Sequence, residues 1–422
     1  MFKLLCLFPG QGSQYVGMGK NLADRFEVAK HTFDEANEVL GFDLKKLCFE
    51  GSMEKLTMTE NTQPAILTTS IAAFRVFMNE INYIPQLYAG HSLGEITALT
   101  CSGAINFADA LKIVRQRGRL MQEAISNGEG AMTAVSGVDV DIIREICESC
   151  SENGQIAVIS NYNSPEQIVI SGHTSAIERV EKMLSENDAK ITRLKVSAPF
   201  HCPLMESVAI KLKEELKKYT FTDLKYNVIS NVTGLPYSDK DSIVENLSLQ
   251  VVKPVQWIKS MEYACQKGIN IAIEFGPRFV LKNLIKKNIP DISAYSFDIE
   301  EDIAIIREKL SSSAASGLSE KEAKIRFIAR SLAIAVCTKN SNWDNEEYKK
   351  GVIEPYRKVQ KNLEELEKED KVPDFEHINE AAEMLKSVFK TKKTPIEERI
   401  DRFNQLFDET GLHYMFDDFK II

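Results

Sequence analysis

The sequence predicts an α/β protein with a parallel sheet, a small inserted subdomain and an all-helical C-terminal extension. Three observations lead to this prediction. Over most of the first 310 residues, short apolar runs that end in glycine turns alternate with helical patterns, as is typical of parallel sheets. Residues 129–197 change to a β-α-β-β-α-β pattern, which predicts a ferredoxin-like subdomain. Beyond residue 318 the apolar spacing is helical throughout.

Composition indicates a soluble globular protein, because 44% of the 422 residues are hydrophobic and 27% are charged. A net charge of −9 without a long basic run disfavours nucleic acid as a partner. No apolar run approaches a membrane span, so no membrane partner is expected. The eight scattered cysteines predict reduced thiols in a cytoplasmic protein instead of a disulfide framework. Cys147 and Cys150 form a C-x-x-C pair that no further ligand completes, so no metal site is expected.

Apolar runs and helical spacing place the elements of the predicted core along the chain. A first strand at residues 3–8 is followed by a glycine-rich loop, and a second strand at residues 86–89 leads into a tight turn. Further strands are expected at residues 131–135, 156–161, 167–171, 189–196, 226–230 and 269–275. Helices are expected at residues 17–27, 31–47, 62–79, 107–125, 140–148, 175–187, 205–218, 246–250 and 257–267.

The C-terminal part of the chain has a different texture. Residues 311–317 consist of Ser, Ala and Gly, a composition that predicts a linker. The segment that follows, residues 318–422, contains no convincing strand pattern. Helices are expected there at residues 320–337, 345–366, 375–389 and 396–408.

The tight turn after the second strand reads Gly90-His91-Ser92-Leu93-Gly94-Glu95. A serine between two glycines at a strand-to-helix corner is the pattern of a nucleophile elbow. The strained backbone of such a serine requires neighbours without side chains, and the following helix directs its first amides at the place where an oxyanion forms. The pattern alone fits equally a loop with a capping serine, so it has to be weighed with other candidates.

Other residues stand out by their surroundings. Two glycines flank Gln11, so its backbone either approaches a ligand closely or forms an ordinary strand-to-helix loop. Arg117 is tilted toward the apolar side of its helix, which predicts either an inward cation that needs an anion or a salt-bridged side chain. His201 follows a predicted strand and is placed by two prolines, a position suited to a general base or to a buried structural histidine. His91, within the tight turn, is a candidate for a supporting role.

The segments that carry these residues are Gly10-Gln11-Gly12-Ser13-Gln14, Gly90-His91-Ser92-Leu93-Gly94-Glu95, Arg117-Gly118-Arg119-Leu120-Met121-Gln122, Asn161-Tyr162-Asn163-Ser164-Pro165, Phe200-His201, Pro254-Val255-Gln256-Trp257 and Glu274-Phe275-Gly276-Pro277. In order and spacing they resemble the malonyl-CoA:acyl carrier protein acyltransferase family. The resemblance implies an α/β-hydrolase-like core at residues 1–128 and 198–310, into which the ferredoxin-like subdomain is inserted.

The resemblance also implies a role for each matching residue. Ser92 would be the nucleophile and His201 its base. A main-chain carbonyl near Gln250 would orient the imidazole, where other enzymes use an acidic side chain. The amides of Gln11 and Leu93 would form the oxyanion hole.

Further matching residues would determine which acyl group binds. Arg117 would pair with the free carboxylate of a malonyl group. Phe200 would fill the space that an α-methyl group needs and so favour malonyl. Gln250, His91 and Asn161 are expected in the substrate-binding region. The resemblance implies no cofactor and no metal, and its partners are malonyl-CoA and the phosphopantetheine arm of an acyl carrier protein.

The implied activity transfers a malonyl or similar carboxylated extender unit from CoA to the carrier protein through a malonyl-serine intermediate. The helical extension departs from the housekeeping enzyme of fatty acid biosynthesis. By analogy it favours a trans-acting acyltransferase of polyketide biosynthesis or of a hybrid peptide–polyketide assembly line, whose modules it could contact. The alternatives are a housekeeping fatty-acid malonyltransferase, a proofreading acyl-hydrolase, which Arg117 argues against, and a non-catalytic scaffold, which Ser92 and His201 argue against.

Overall fold

The computed structural model describes residues 2–81, 83–125, 130–194, 198–315, 320–412 and 415–416. The chain folds into two compact units. The larger comprises residues 2–75 and 84–303, and the smaller comprises residues 76–83 and 304–422. The prediction of a mixed α/β protein with a parallel sheet and many helices is confirmed.

The elements of the larger unit follow one another in chain order, and the last parts of α5 and α14 belong to the smaller unit. The strands are β1 (Leu4–Phe8), β2 (Leu87–Gly90), β3 (Gly130–Ser136), β4 (Ala157–Ser164), β5 (Gln167–His173), β6 (Lys190–Arg193), β7 (Asn227–Ile229), β8 (Ile271–Glu274) and β9 (Ser293–Ser296). The helices are α1 (Lys20–Arg25), α2 (Glu27–Leu40), α3 (Leu44–Glu50), α4 (Met53–Thr57), α5 (Thr59–Glu80), α6 (Leu93–Cys101), α7 (Phe107–Ile125), α8 (Val140–Ser149), α9 (Thr174–Ser185), α10 (Glu206–Leu216), α11 (Ser242–Gln250), α12 (Trp257–Gln266), α13 (Val280–Asn288) and α14 (Glu300–Ala315).

A parallel sheet with the strand order β7-β2-β1-β8-β9 forms the centre of the larger unit. Every residue of β1 and β2 is buried, as expected for strands covered on both faces. Phe8 at the end of β1 pairs with Gly90 at the end of β2. The loop that contains Gln11 and the turn that contains Ser92 therefore begin side by side at the carboxyl edge of the sheet.

A second, antiparallel sheet has the strand order β4-β5-β3-β6, and its elements follow one another as β3-α8-β4-β5-α9-β6. Helices α8 and α9 pack on it over a core of their own, whose fully buried members include Val135, Ile143, Ile170, Ile177 and Val180. The last strand is shorter than the predicted 189–196, and residues 195–197 lie outside the described residues.

Three local predictions are wrong. The helix expected at residues 31–47 is divided, because Gly41 adopts a φ of 71° that ends α2 and Asp43 caps the start of α3. The helix expected at residues 17–27 is only six residues long and begins at Lys20. The linker expected at residues 311–317 is helical as far as it is described, since α14 continues to Ala315.

The smaller unit consists of helices over its described residues. They are α15 (Glu320–Cys337), α16 (Asn345–Tyr348), a π-helical turn (Lys349–Ile353), α17 (Glu354–Lys368), α18 (Phe375–Thr391) and α19 (Ile396–Thr410). Their boundaries agree with the sequence to within a few residues, and buried side chains such as Phe327, Leu385 and Phe403 form a separate core. No helix in the described part of the chain is long and apolar enough to cross a membrane.

Buried charges hold α19 in the smaller unit. Arg330 of α15 binds Glu409 of α19 at 2.7 Å, and each side chain is 1% exposed. Arg402 of the same helix binds the Glu80 carboxylate at 3.0 Å, and Gln405 donates to the Glu80 carbonyl. Helix α19 is therefore fixed both to α15 and to the last turn of α5.

Candidate active site

Ser92 occupies a strained corner between β2 and α6, with φ 53° and ψ −107°. A Cβ on Gly90 would lie 1.9 Å from the carbonyl of Gly94, and a Cβ on Gly94 would lie 1.9 Å from the carbonyl oxygen of Phe8. Only glycine fits at both positions, which is the steric requirement expected from the sequence. Helix α6 begins at Leu93, so its first amides lie next to the serine.

Ser92 and His201 form a hydrogen-bonded pair, with 2.9 Å between the serine Oγ and the imidazole Nε2. The imidazole Nδ1 donates to the main-chain carbonyl of Gln250 at 2.7 Å. That bond leaves Nε2 without a proton, so Nε2 can accept one from the serine hydroxyl. Burial, followed by the positive charge of Arg117, lowers the pKa of His201 to about 3. The imidazole is therefore neutral at physiological pH.

The guanidinium of Arg117 is 2% exposed and reaches the same serine. It donates to Ser92 Oγ at 3.1 Å, to Gln250 Oε1 at 2.9 Å and to Gln63 Oε1 at 2.9 Å. All three direct partners are uncharged, and its buried Nε has no hydrogen-bond partner among the described residues. Burial lowers the pKa of Arg117 to about 10. A buried cation with neutral partners is a receptor for an anion.

A polar cluster beneath Ser92 was not predicted from the sequence. Glu95 is fully buried, and its Oε2 accepts from Gln250 Nε2 at 2.6 Å while its Oε1 accepts from the Tyr237 hydroxyl. Gln250 Nε2 also donates to the main-chain carbonyl of Ser92 at 2.9 Å. Burial is the largest cause that raises the pKa of Glu95 to about 7. Gln250 therefore connects the serine, the imidazole, the guanidinium and a carboxyl group.

Asn231 supports the turn from the neighbouring strand and was likewise not singled out. Its Oδ1 accepts from the Ser92 amide at 2.7 Å, and its Nδ2 donates to the Gly90 carbonyl at 2.7 Å. Asn231 follows β7, which is parallel to β2, so both carboxyl ends lie at one edge of the sheet. That topological relation is the signal that could have identified it.

The remaining predicted residues lie around this centre. The Gln11 side chain lies 3.4 Å from the Thr59 hydroxyl, and Phe200 is buried directly before His201. The His91 ring turns to the antiparallel sheet, where Nε2 lies 2.9 Å from Asn163 Oδ1. Asn161 Oδ1 accepts from the neighbouring Ser160 hydroxyl at 2.8 Å. His91 Nε2 and Asn161 Oδ1 are therefore engaged in hydrogen bonds to other residues of the protein.

The described residues contain no group of three or more His, Cys, Asp or Glu side chains that could hold a metal ion. Cys147 on α8 and Cys150, which follows the last residue of that helix, are both buried free thiols.

Comparison with known proteins identifies the family. Residues 5–301 match the model of the acyl transferase domain. A malonyl CoA-acyl carrier protein transacylase of Bacillus subtilis is 36% identical over 400 residues, which cover 95% of this chain and 99% of the relative. The chain belongs to the malonyl-CoA:acyl carrier protein transacylase family. It is an acyltransferase, as its motifs predicted.

Several other members of the family align with a smaller share of the chain. The transacylase of Escherichia coli (strain K12) is 43% identical over 295 residues, which cover 70% of this chain and 95% of that relative. The solved transacylase of Coxiella burnetii has a TM-score of 0.71 at 38% identity, covering 73% of this chain and 98% of its own. A malonyl-transacylase solved in complex with its type II PKS acyl-carrier protein has the same TM-score and identity. The match covers 73% of this chain and 99% of that transacylase. The 95% coverage of the Bacillus subtilis relative, in contrast, includes most of residues 318–422.

Proposed function

We propose that the protein transfers a malonyl group from malonyl-CoA to the phosphopantetheine thiol of an acyl carrier protein. The observation that carries this proposal is the 3.1 Å contact between the Arg117 guanidinium and Ser92 Oγ. It places a buried receptor for a carboxylate beside a serine that has an imidazole base. A group with a thioester at one end and a carboxylate at the other fits both features.

In the first half-reaction, Ser92 Oγ attacks the thioester carbon while His201 Nε2 takes the hydroxyl proton. We assign the amides of Gln11 and Leu93 to the oxyanion of the tetrahedral intermediate. The carbon–sulfur bond then breaks, and His201 returns the proton to the sulfur of CoA. A malonyl-serine ester remains on the enzyme.

In the second half-reaction, the carrier thiol attacks the ester carbon and His201 takes the thiol proton. The carbon–oxygen bond to Ser92 breaks, and the serine oxygen recovers that proton. Phe200, which precedes the base, selects malonyl over α-branched groups. Asn161 and His91 support the acyl-binding region. His91 serves by its bond to Asn163, which holds β4 against the turn.

We also propose the finer domain assignment made from the sequence. An α/β-hydrolase-like core at residues 1–128 and 198–310 is supported by the parallel sheet and the strand–serine–helix corner. A ferredoxin-like subdomain at residues 129–197 is supported by the order of its strands and helices. The helical extension at residues 318–422 is supported by a separate core.

For the biological role we propose a trans-acting enzyme that serves polyketide or hybrid peptide–polyketide modules. The extension supports this role, since it is a built helical unit that one relative from Bacillus subtilis shares and the Escherichia coli relative lacks. The competing candidate is a housekeeping fatty-acid malonyltransferase. It is favoured by the identity of 43% to the Escherichia coli protein, which exceeds the 36% to the longer relative.

A panel of holo carrier proteins tests both levels of the proposal. The full chain should transfer malonyl to carrier domains of assembly-line modules with a kcat/KM about tenfold above that for a fatty-acid carrier protein, a difference of about 1.4 kcal/mol. Equal or reversed preference would favour the housekeeping role. Hydrolysis of acyl carriers without transfer would favour the hydrolase, and absence of any covalent acyl-enzyme would favour a scaffold.

The low pKa of His201 predicts that a neutral serine reagent modifies Ser92 independently of pH. In the Glu95→Gln variant, which removes the carboxyl group that titrates near pH 7, a sulfonyl fluoride should react at an unchanged rate between pH 8 and 5.5, because an imidazole with a pKa of about 3 stays unprotonated over that range. A histidine with the ordinary pKa of about 6.5 would lose about tenfold. Intact-protein mass spectrometry measures the rate, with Ser92→Ala as the control for labelling elsewhere. A decline centred near pH 6.5 would contradict the prediction.

A further inference from the structure

The Glu95 carboxyl group has one charged neighbour and several neutral ones. Tyr237, the Gln250 amide and the main-chain N–H of Asn231 hydrogen-bond to it, and Arg117 acts on it through its positive charge. These groups come from four different parts of the larger unit. The carboxyl has no access to solvent.

Among the protein's own groups, Glu95 supplies the negative charge that balances Arg117. The direct partners of the guanidinium are two amides and a hydroxyl, and His201 is neutral. A buried cation requires a compensating negative charge nearby. Among the groups that the structure places around Arg117, the Glu95 carboxylate is the one that attracts it.

Binding of a second carboxylate changes this balance. The proposed function brings the malonyl carboxylate to Arg117, which would leave one cation among two buried negative charges. Like charges that share a buried site cannot both stay ionised, and the group that titrates more easily becomes neutral. Malonate in direct contact with the guanidinium keeps its charge, whereas Glu95 contacts only neutral hydrogen-bond partners.

We propose that Glu95 balances the charge of Arg117 in the empty site and takes up a proton from solvent when the carboxylate of the acyl group binds. This inference rests on the proposed function, and it makes Glu95 a positioning residue that acts through Gln250 and Arg117. The same proton returns to solvent when the malonyl group leaves on the carrier protein.

The hydrogen bonds of Glu95 allow both protonation states. Gln250 donates to Oε2 in either state. The Tyr237 hydroxyl donates to an ionised Oε1 and can rotate to accept from a protonated one. Because burial already raises the pKa of Glu95 to about 7, a modest further rise suffices for protonation near neutral pH.

Calorimetry of the full-length Ser92→Ala variant tests the inference without turnover. Malonyl-CoA is titrated at pH 7.5 in buffers of different ionisation enthalpy, and acetyl-CoA is titrated as the ligand that carries the same CoA group. Because a group with a pKa of about 7 is about three-quarters ionised at pH 7.5, we expect an excess uptake of between about half and three-quarters of a proton with malonyl-CoA. No excess over acetyl-CoA would overturn the inference.

Two further variants identify the group that takes up the proton. Ser92→Ala/Glu95→Gln should bind malonyl-CoA with no excess uptake. Persistence of the uptake would overturn the inference and point to His201. The matched control is Ser92→Ala/Glu274→Gln, which neutralises another buried carboxyl with a raised pKa, on β8, and should keep the uptake. Loss in this control would also overturn the assignment to Glu95.

Failure of the proposed function gives a different result. If Ser92→Ala binds malonyl-CoA no more tightly than acetyl-CoA, and Ser92→Ala/Arg117→Ala behaves the same, the carboxylate site itself is wrong. If Ser92→Ala/Glu95→Gln does not fold, the pH dependence of binding to Ser92→Ala decides. The Kd of Ser92→Ala for malonyl-CoA, divided by its Kd for acetyl-CoA, should rise by up to tenfold per pH unit above pH 7. A ratio of the two Kd values that does not change with pH would overturn the inference.

Discussion

Ser92→Ala should abolish the covalent malonyl-enzyme and lower the rate of malonyl transfer by about four orders of magnitude or more. The serine oxygen is the atom that carries the acyl group in the proposed mechanism, and its Oγ lies 2.9 Å from His201 Nε2. Removal of a nucleophile in a serine enzyme leaves only the contribution of binding and of the oxyanion hole. Mass spectrometry after incubation with malonyl-CoA detects the adduct, and a coupled assay measures transfer.

The matched control for this variant is Ser185→Ala at the exposed end of α9. Its hydroxyl donates to the carbonyl of Glu181 in the same helix, so its removal should leave both the adduct and the rate unchanged. An adduct that persists in Ser92→Ala would show that another residue is acylated and would exclude the mechanism.

Arg117→Ala should lower malonyl loading by about 10²- to 10³-fold and increase acetyl loading relative to it. Loss of one partner of a buried charge pair costs about 2–5 kcal/mol, and the expected loss of about 10²- to 10³-fold lies inside that interval at about 2.7–4.1 kcal/mol. The acetyl group has no carboxylate and gains the space that the guanidinium vacates. Malonyl loading of Arg117→Lys should lie between that of the unsubstituted protein and that of Arg117→Ala, because lysine keeps the charge but cannot form two parallel hydrogen bonds to the carboxylate.

Arg119→Ala on the same helix is the control for this substitution. Its side chain is 52% exposed and pairs with Glu60 at the surface, so loading of both donors should stay unchanged. Initial rates of malonyl and acetyl loading give the selectivity ratio for each variant. Unchanged malonyl loading in Arg117→Ala would refute the carboxylate assignment.

Much of the fold follows from local patterns. Helix α18 was expected at residues 375–389 and spans Phe375–Thr391, because its apolar spacing and its capping Asp374 are properties of adjacent residues. The four residues of β9, Ser-Ala-Tyr-Ser, carry no strong pattern, and pairing with β8 decides their conformation. The Ser/Ala-rich end of α14 is helical up to Ala315 although its composition predicts a linker, because alanine is the best helix former.

In the candidate site, too, some residues follow from local sequence patterns and others only from the folded structure. The turn around Ser92 is a local pattern, so its geometry could be predicted. Glu95 could not be recognised, since an acidic residue in the first turn of a helix is ordinary on a surface. Its burial depends on Tyr237 and Gln250, which are 142 and 155 positions away in the chain. Only the folded arrangement reveals these contacts.

The buried pair of Arg330 and Glu409 also constrains how this chain can diverge over time. A lineage that replaces either residue first passes through a form with an uncompensated buried charge, at a cost of about 3–5 kcal/mol. That is a large share of the net stability of a typical domain. Helices α15 and α19 are therefore expected to be inherited as one unit, and descendants should change both positions together or neither.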